Sequence, residues 1–423
     1  MMIKPQSTTL KNQLRIVTTP IKGTDAVTVL IIVRAGSRWE SRDINGIAHF
    51  LEHMFFKGAK RYPNTKAVAE ALDGVGGVFN AFTADEYVGY YVKLAKDKVE
   101  LAFDVLSDML LHSRFDQAEV DRERQVILEE YNMYEDTPMQ KISDVFQGLL
   151  YGDQPIGWST LGRKEVIKRL NQEDFVKYQQ ALYRPNNIVV TVAGNITQAK
   201  VKALTQKYLP YSNGALKRKL TPAQKPTGKV RLKLHTKKTE QAHFALGAEA
   251  VSGASKDKYA LKLLGALLGG SMSSRLWLAV RERQGLGYYV STGAQMFVDT
   301  GYLATFAGID LKRIKQAISI VLTEYQRIID EPVSEAELVK AKSLVKGRTV
   351  LAFEDSETVA NNLGLQELLY GKIETPEMSF KKLDAVTPKD IQRLAKKVLA
   401  KDKLHLAVIG PYTDAAEFKA LLQ

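Results

Sequence analysis

The chain has 423 residues, 45% of them apolar and 25% charged, a length that usually divides into two or more domains, each able to bury its own core. It contains no cysteine, which excludes disulfides, thiolate nucleophiles and Cys-ligated metals; any metal site must come from His, Asp and Glu. Sixty Lys and Arg against 47 Asp and Glu leave a net charge of +13, but the cations fall in pairs and short clusters with no helix-turn-helix or RNP-like pattern, so the excess reads as solvated surface and not as a nucleic-acid face.

The first 13 residues are polar, with neither a hydrophobic signal region nor an Arg-rich transit pattern. The apolar run over 26–33 is too short to span a bilayer, so a cytoplasmic protein without membrane contact is expected. That run predicts a strand, as do 88–94 and 188–192. Residues 66–72, 99–111, 119–134 and 311–329 carry a 3.6-residue period and predict helices. Strand pairs beside runs of helix point to an α+β fold.

Between the first strand and the first of these helices lies His49-Phe-Leu-Glu-His53. On a helix His49 and His53 are i and i+4, so both imidazoles leave one face a turn apart, a separation suited to one Zn2+. Glu52 lies beside them, placed to take a proton from water and not to ligate. The alternative is two surface histidines next to a solvated acid. The helix at 119–134 supplies a further donor. Its stripe Val120, Glu123, Ile127, Glu130, Tyr134 puts two carboxylates on the face that should be buried, where they need a cationic partner. Glu129 points about 100° away from Glu130. Glu130 is therefore read as the third ligand, Glu123 as the group that orients the site, and Glu129 as solvated; an Arg or Lys network around both acids is the competing explanation.

The two halves of the chain resemble each other. Residues 115–120 match 333–338 at an offset of 218, 149–152 match 368–371 at 219, and 188–194 match 404–410 at 216. Two tandem copies of one mixed α/β unit are expected, over 1–213 and 230–423, joined by a Lys-, Pro- and Gly-rich linker at 214–229. At these offsets the histidines fall near Gly265 to Gly270 and Glu130 falls near Arg348, so the second copy lacks the ligands and one zinc per chain is expected. The loop 269–275 lacks the Gly-Lys-Ser/Thr ending of a P-loop and reads as structural.

The HFLEH pentapeptide, a glutamate 77 residues beyond its second histidine, and the duplicated half together resemble the pitrilysin-type (inverzincin, M16) zinc metallopeptidases, closest to the smaller, processing-peptidase-like branch. The resemblance implies zinc on His49, His53 and Glu130, water activation by Glu52, and a supporting role for Glu123. It also implies that Arg281 and Tyr288, seven apart in Arg-Glu-Arg-Gln-Gly-Leu-Gly-Tyr, hold the substrate backbone and the developing oxyanion, although either can be an ordinary helix-end or core residue. Asn80, Ala81, Phe82 and Thr83 resemble the edge strand on which such enzymes bind extended peptides, with Phe79 and Phe82 equally at home in a core. Four repeats close a clamshell in full-length members; two make half of one. A homodimer with shared active sites, acting on peptides, is thus implied. A non-catalytic scaffold or assembly subunit of the same family, or a basic nucleic-acid-binding protein, are the rival functions.

Overall fold

Apolar residues run without alternation through 26–33 because the strand they form is covered on both faces. The computed structural model of the chain describes residues 3–212, 214, 216, 219–226 and 231–423. In its first sheet are β1 (Gln6–Thr9), β2 (Arg15–Pro20), β3 (Ala26–Val33), β4 (Val78–Thr83), β5 (Val88–Ala95) and β6 (Ile188–Gly194), in the order β1-β2-β6-β3-β5-β4. The second sheet contains β7 (Leu232–Thr236), β8 (Gln241–Glu249), β9 (Gly287–Met296), β10 (Gly301–Asp310) and β11 (His405–Gly410), in the order β7-β11-β8-β10-β9. Each sheet has one parallel pair at the same place, β2 with β6 and β7 with β11, and is otherwise antiparallel. The expected α+β fold of two similar halves is present, and the predicted helices appear at Thr65–Asp73, Val99–His112, Gln117–Glu135 and Ile314–Asp330.

On one face of the first sheet Val27, Val29, Ile31 and Val33 meet the main core. On the other, Leu30 and Ile32 pack with Val17, Val189 and Ala193 against Val359, Ala360, Leu363 and Leu368 of the helix Ser356–Tyr370, which comes from the second half of the chain. The one polar residue of β3, Thr28, faces that helix and shares a hydrogen bond with Ser356 (2.8 Å), while the Thr191 hydroxyl donates to the Ala360 carbonyl (3.1 Å). Both buried hydroxyls are thereby satisfied. The second sheet is covered in the same way by Pro138–Tyr151, the counterpart helix of the first half, through Ile142, Phe146, Leu150 and Tyr151.

The compact units therefore differ from the contiguous blocks 1–213 and 230–423. One unit comprises Met1–Tyr131, Ser159–Thr221 and Thr349–Met378; the other comprises Asn132–Trp158, Pro222–Arg348 and Ser379–Gln423. The two repeats have exchanged a helical segment. Within the expected linker, residues 215, 217, 218 and 227–229 lie outside the described residues. Among the described residues no helix is long and apolar enough to cross a membrane.

Candidate metal centre

The HFLEH segment lies in the helix Ile47–Met54, whose Ile47, Ala48, Phe50, Leu51 and Met54 are buried in the main core. Burying that face leaves His49, Glu52 and His53 together on the other. The helix starts at Gly46 with φ 104°, where a Cβ would stand 2.7 Å from Ile167 and 2.9 Å from the backbone of Gly162, so only glycine fits. Its first amide groups do not go unpaired. The buried Glu40 carboxylate accepts from the N–H of Gly46 (2.9 Å) and of Ala48 (2.8 Å), and from the Asn45 side chain (2.8 Å). A negative charge at a helix N-terminus is favourable, and this one anchors the turn that presents His49.

The helix Gln117–Glu135 buries Val120, Glu123 and Ile127, half-buries Glu130 and exposes Glu129. Glu130 Oε2 lies 3.6 Å from His49 Nε2 and 3.5 Å from His53 Nε2. Two ligands around a tetrahedral zinc with bonds of 2.0–2.1 Å are separated by about 3.4 Å, so these spacings suit that ion. His49, His53 and Glu130 are the group of three that can hold a metal among the described residues. Burial, and then the neighbouring His53, lowers the His49 pKa to about 3, which keeps its ring neutral as a ligand must be. Burial likewise pushes Glu130 up, with His53 opposing and Glu123 adding to the rise. A carboxylate raised in this way gains from a cation beside it.

Two side chains hold the site from outside. Glu123 Oε1 lies 2.9 Å from His53 Nδ1, and its Oε2 pairs with Lys57 Nζ at 2.5 Å. Burial alone would raise Glu123, but hydrogen bonds from His53 and Lys57 outweigh it and leave the carboxyl below its ordinary range. Glu52 accepts a hydrogen bond from the Thr83 hydroxyl, which ties it to β4. Desolvation raises the Glu52 pKa; Thr83 and His53 oppose the rise and Glu130 adds to it.

Among the described residues β4 is an edge strand that pairs with β5, and it carries Asn80, Ala81, Phe82 and Thr83. Asn80 is exposed and accepts from the Ala81 amide, while Phe82 lies half-buried against Gly89 and Tyr87. Arg281 and Tyr288 belong to the other unit. Arg281 is the penultimate residue of a π-helical turn, Trp277–Glu282, and its guanidinium sits 5.1 Å from the Trp277 ring and 5.8 Å from the Tyr288 ring. Tyr288 is the extra residue of a β-bulge: Gly308 pairs with Tyr289 and Ile309 with Gly287, which leaves Tyr288 unmatched and 74% exposed. A core role for Tyr288 is ruled out by that exposure.

The first part of the chain, residues 15–163, matches the family described as Insulinase (Peptidase family M16), and residues 169–345 match its Peptidase M16 inactive domain. The uncharacterized zinc protease YmxG of Bacillus subtilis is 34% identical over 403 residues, covering 95% of this chain and 97% of its own. The chain belongs to peptidase family M16. An uncharacterized zinc protease of Streptomyces coelicolor, also 34% identical, covers 96% of this M16 chain and 90% of its own. The same fold is seen in a Helicobacter pylori protease (TM-score 0.90, 24% identity, 97% and 100% of the two chains) and in a peptidase M16 inactive domain from Pseudomonas fluorescens (TM-score 0.89, 18% identity, 97% and 98%). Among the described residues the second M16 repeat has no counterpart of the metal group. At the helix offset of 218, Glu123 becomes Ala341 and Glu130 becomes Arg348, whose guanidinium donates to the Gly270 carbonyl (2.8 Å). Arg275 and Glu337 add a two-bond ion pair at 2.7 and 2.8 Å. That unit is tied by direct protein contacts.

The sequence pattern pointed to His49, Glu52, His53, Glu123 and Glu130, and all five lie together. It did not single out Lys57, four residues past His53, or Glu40, six before Gly46; the i+4 spacing of Lys57 was the available signal. Nor did it show that Thr83 contacts Glu52.

Proposed function

We propose that this M16 member is a zinc-dependent endopeptidase that hydrolyses unfolded or extended peptides, with one zinc per chain on His49, His53 and Glu130. The observation that carries the reading is the approach of Glu130 to both imidazole Nε2 atoms with Glu52 on the same helix face. A bound zinc would polarise the scissile carbonyl and acidify water. Glu52, desolvated and fixed by Thr83, takes the proton of the attacking water and returns it to the leaving amine; desolvation, which raises its pKa, makes it a stronger base for the first of these transfers. The exposed edge of β4 pairs with the substrate backbone, which favours extended segments over particular side chains. Arg281 and Tyr288 supply donors to the developing negative charge. Each active site takes that pair from the second chain of a homodimer, in the cytoplasm. The intact donor set argues against a scaffold without activity.

Digestion of an unstructured peptide, with and without chelator and with products read by mass spectrometry, tests the reading. Cleavage should stop with chelator and return with zinc. Glu52→Gln should retain zinc and cut at least ~100-fold more slowly, the lower bound for lost general-base catalysis. Near-normal turnover in that variant would sink the mechanism.

A further inference from the structure

The geometry points to Lys57 as a positioning residue for the metal: its ammonium clamps the Glu123 carboxylate onto His53 Nδ1 and so sets the ring that offers Nε2 toward Glu130. The inference rests on the metal reading above and assigns a part of the site that the HFLEH pattern does not contain. Three observations carry it.

First, the two oxygens of Glu123 are divided between one partner each: Oε1 meets His53 Nδ1 at 2.9 Å, and Oε2 meets Lys57 Nζ at 2.5 Å. With both oxygens occupied, the carboxylate has one orientation, and so does the imidazole. Second, Glu123 is 6% exposed, so its carboxylate has little water to take the place of Lys57, which is itself 23% exposed. Removing one member of such a pair leaves the other charge buried and unmatched. Third, His53 is the ligand whose orientation depends on this contact. Among the described residues His49 Nδ1 is buried with no hydrogen-bond partner, so the orienting hydrogen bond to a candidate ligand ring falls on His53. The duplicated helix offers a contrast. Where the metal group is absent, the position of Glu123 is Ala341, and the basic side chain Arg275 turns to Glu337.

Among the described residues the ion pair of Lys57 is with Glu123, so its effect on the metal passes through Glu123. Partners behind metal ligands typically contribute 10–100-fold in affinity, and Lys57 stands one contact further out than Glu123, so about 10-fold is expected for its loss. The test is a zinc-affinity measurement on the full chain, by competition with a chromophoric chelator, for wild type, Lys57→Met, Lys57→Arg, Glu123→Gln and the Lys57→Met/Glu123→Gln double variant. Lys57→Met should weaken zinc about 10-fold, Lys57→Arg should recover most of the loss, and adding Lys57→Met to Glu123→Gln should change affinity by less than about 2-fold. The visible spectrum of the cobalt-substituted protein should shift in Lys57→Met and return in Lys57→Arg. If Lys57→Met does not fold, Lys57→Gln in the same series gives the same comparison. Wild-type affinity in Lys57→Met, or losses from the two single variants that multiply in the double, would overturn the positioning role and leave the metal reading standing. Absence of zinc binding by wild type would overturn the metal reading itself.

Discussion

Two glycines in helices supplied by the second half of the chain make a matched pair. Gly347 is exposed in Glu335–Ala352, and a Cβ there meets nothing within 4 Å. Gly364 is buried in Ser356–Tyr370, and its Cβ would lie 2.7 Å from Thr191 Cγ2 and 2.8 Å from Ile32 Cδ1. Replacing glycine by alanine inside a helix is worth about 1 kcal/mol of helix propensity. At Gly347 nothing opposes that gain. At Gly364 the methyl enters a filled contact, and overpacking costs about 1–3 kcal/mol, enough to cancel or reverse the gain. Gly364→Val should be worse than Gly364→Ala, because a β-branched side chain adds more volume and gives back some propensity. In domains of 150–250 residues each kcal/mol moves the melting temperature by about 2–4 °C. Differential scanning calorimetry should therefore show Gly347→Ala melting a few degrees higher than wild type, Gly364→Ala at or below it, and Gly364→Val clearly lower. Equal stabilisation by the two alanines would mean that Ser356–Tyr370 is not seated on β3 and β6, and the exchange of helices would be refuted.

Glu130→Gln should lose zinc by elemental analysis while Glu129→Gln keeps it, since Glu129 is exposed and Glu130 faces both histidines; the opposite result reverses the ligand assignment. Mixing Glu52→Gln chains with Tyr288→Phe chains should restore peptide cleavage, because a shared-site dimer then has one site with both an intact zinc centre and an intact donor pair. No recovery in a mixture shown to exchange subunits would exclude sharing. The metal-free protein should lose stability as pH falls from 6.5 toward 3. His49 is held neutral with a pKa of about 3 in the fold against 6.5 when unfolded, so the unfolded chain binds the extra proton throughout that window. Removing the group in His49→Gln should flatten the slope of stability against pH by up to about 1.4 kcal/mol per unit there. Parallel slopes would show that His49 is not buried as described.

The donor groups were legible because each depends on spacing within a single helix. His49 and His53 share a face at i and i+4 whatever the helix packs against, and the stripe through Val120, Glu123, Ile127 and Glu130 places two acids on the buried side of a 3.6-residue period. The strands at 26–33 and 188–192 were legible for the same local reason. The duplication was legible because both copies must satisfy the same sheet, and their strand orders agree.

What the residues alone could not settle was which segment covers which face. The continuous burial of β3 demands a second layer, but any apolar helix meets that demand, and hydrophobic contact carries no address. Only the fold shows that Ser356–Tyr370 covers the first sheet and Pro138–Tyr151 the second. The orientation of Tyr288 has the same character. A one-residue bulge, fixed by pairing with β10, leaves it unmatched and exposed, and a register cannot be read from one strand. Glu40 capping the helix of His49, and Lys57 reaching Glu123, are likewise contacts between side chains and groups on other turns or other helices, whose distances exist only once the chain is packed. Local periodicity placed the candidate ligands of this protein on two helix faces; tertiary structure decided what surrounds them, because a buried charge takes its partner from whatever the fold brings near.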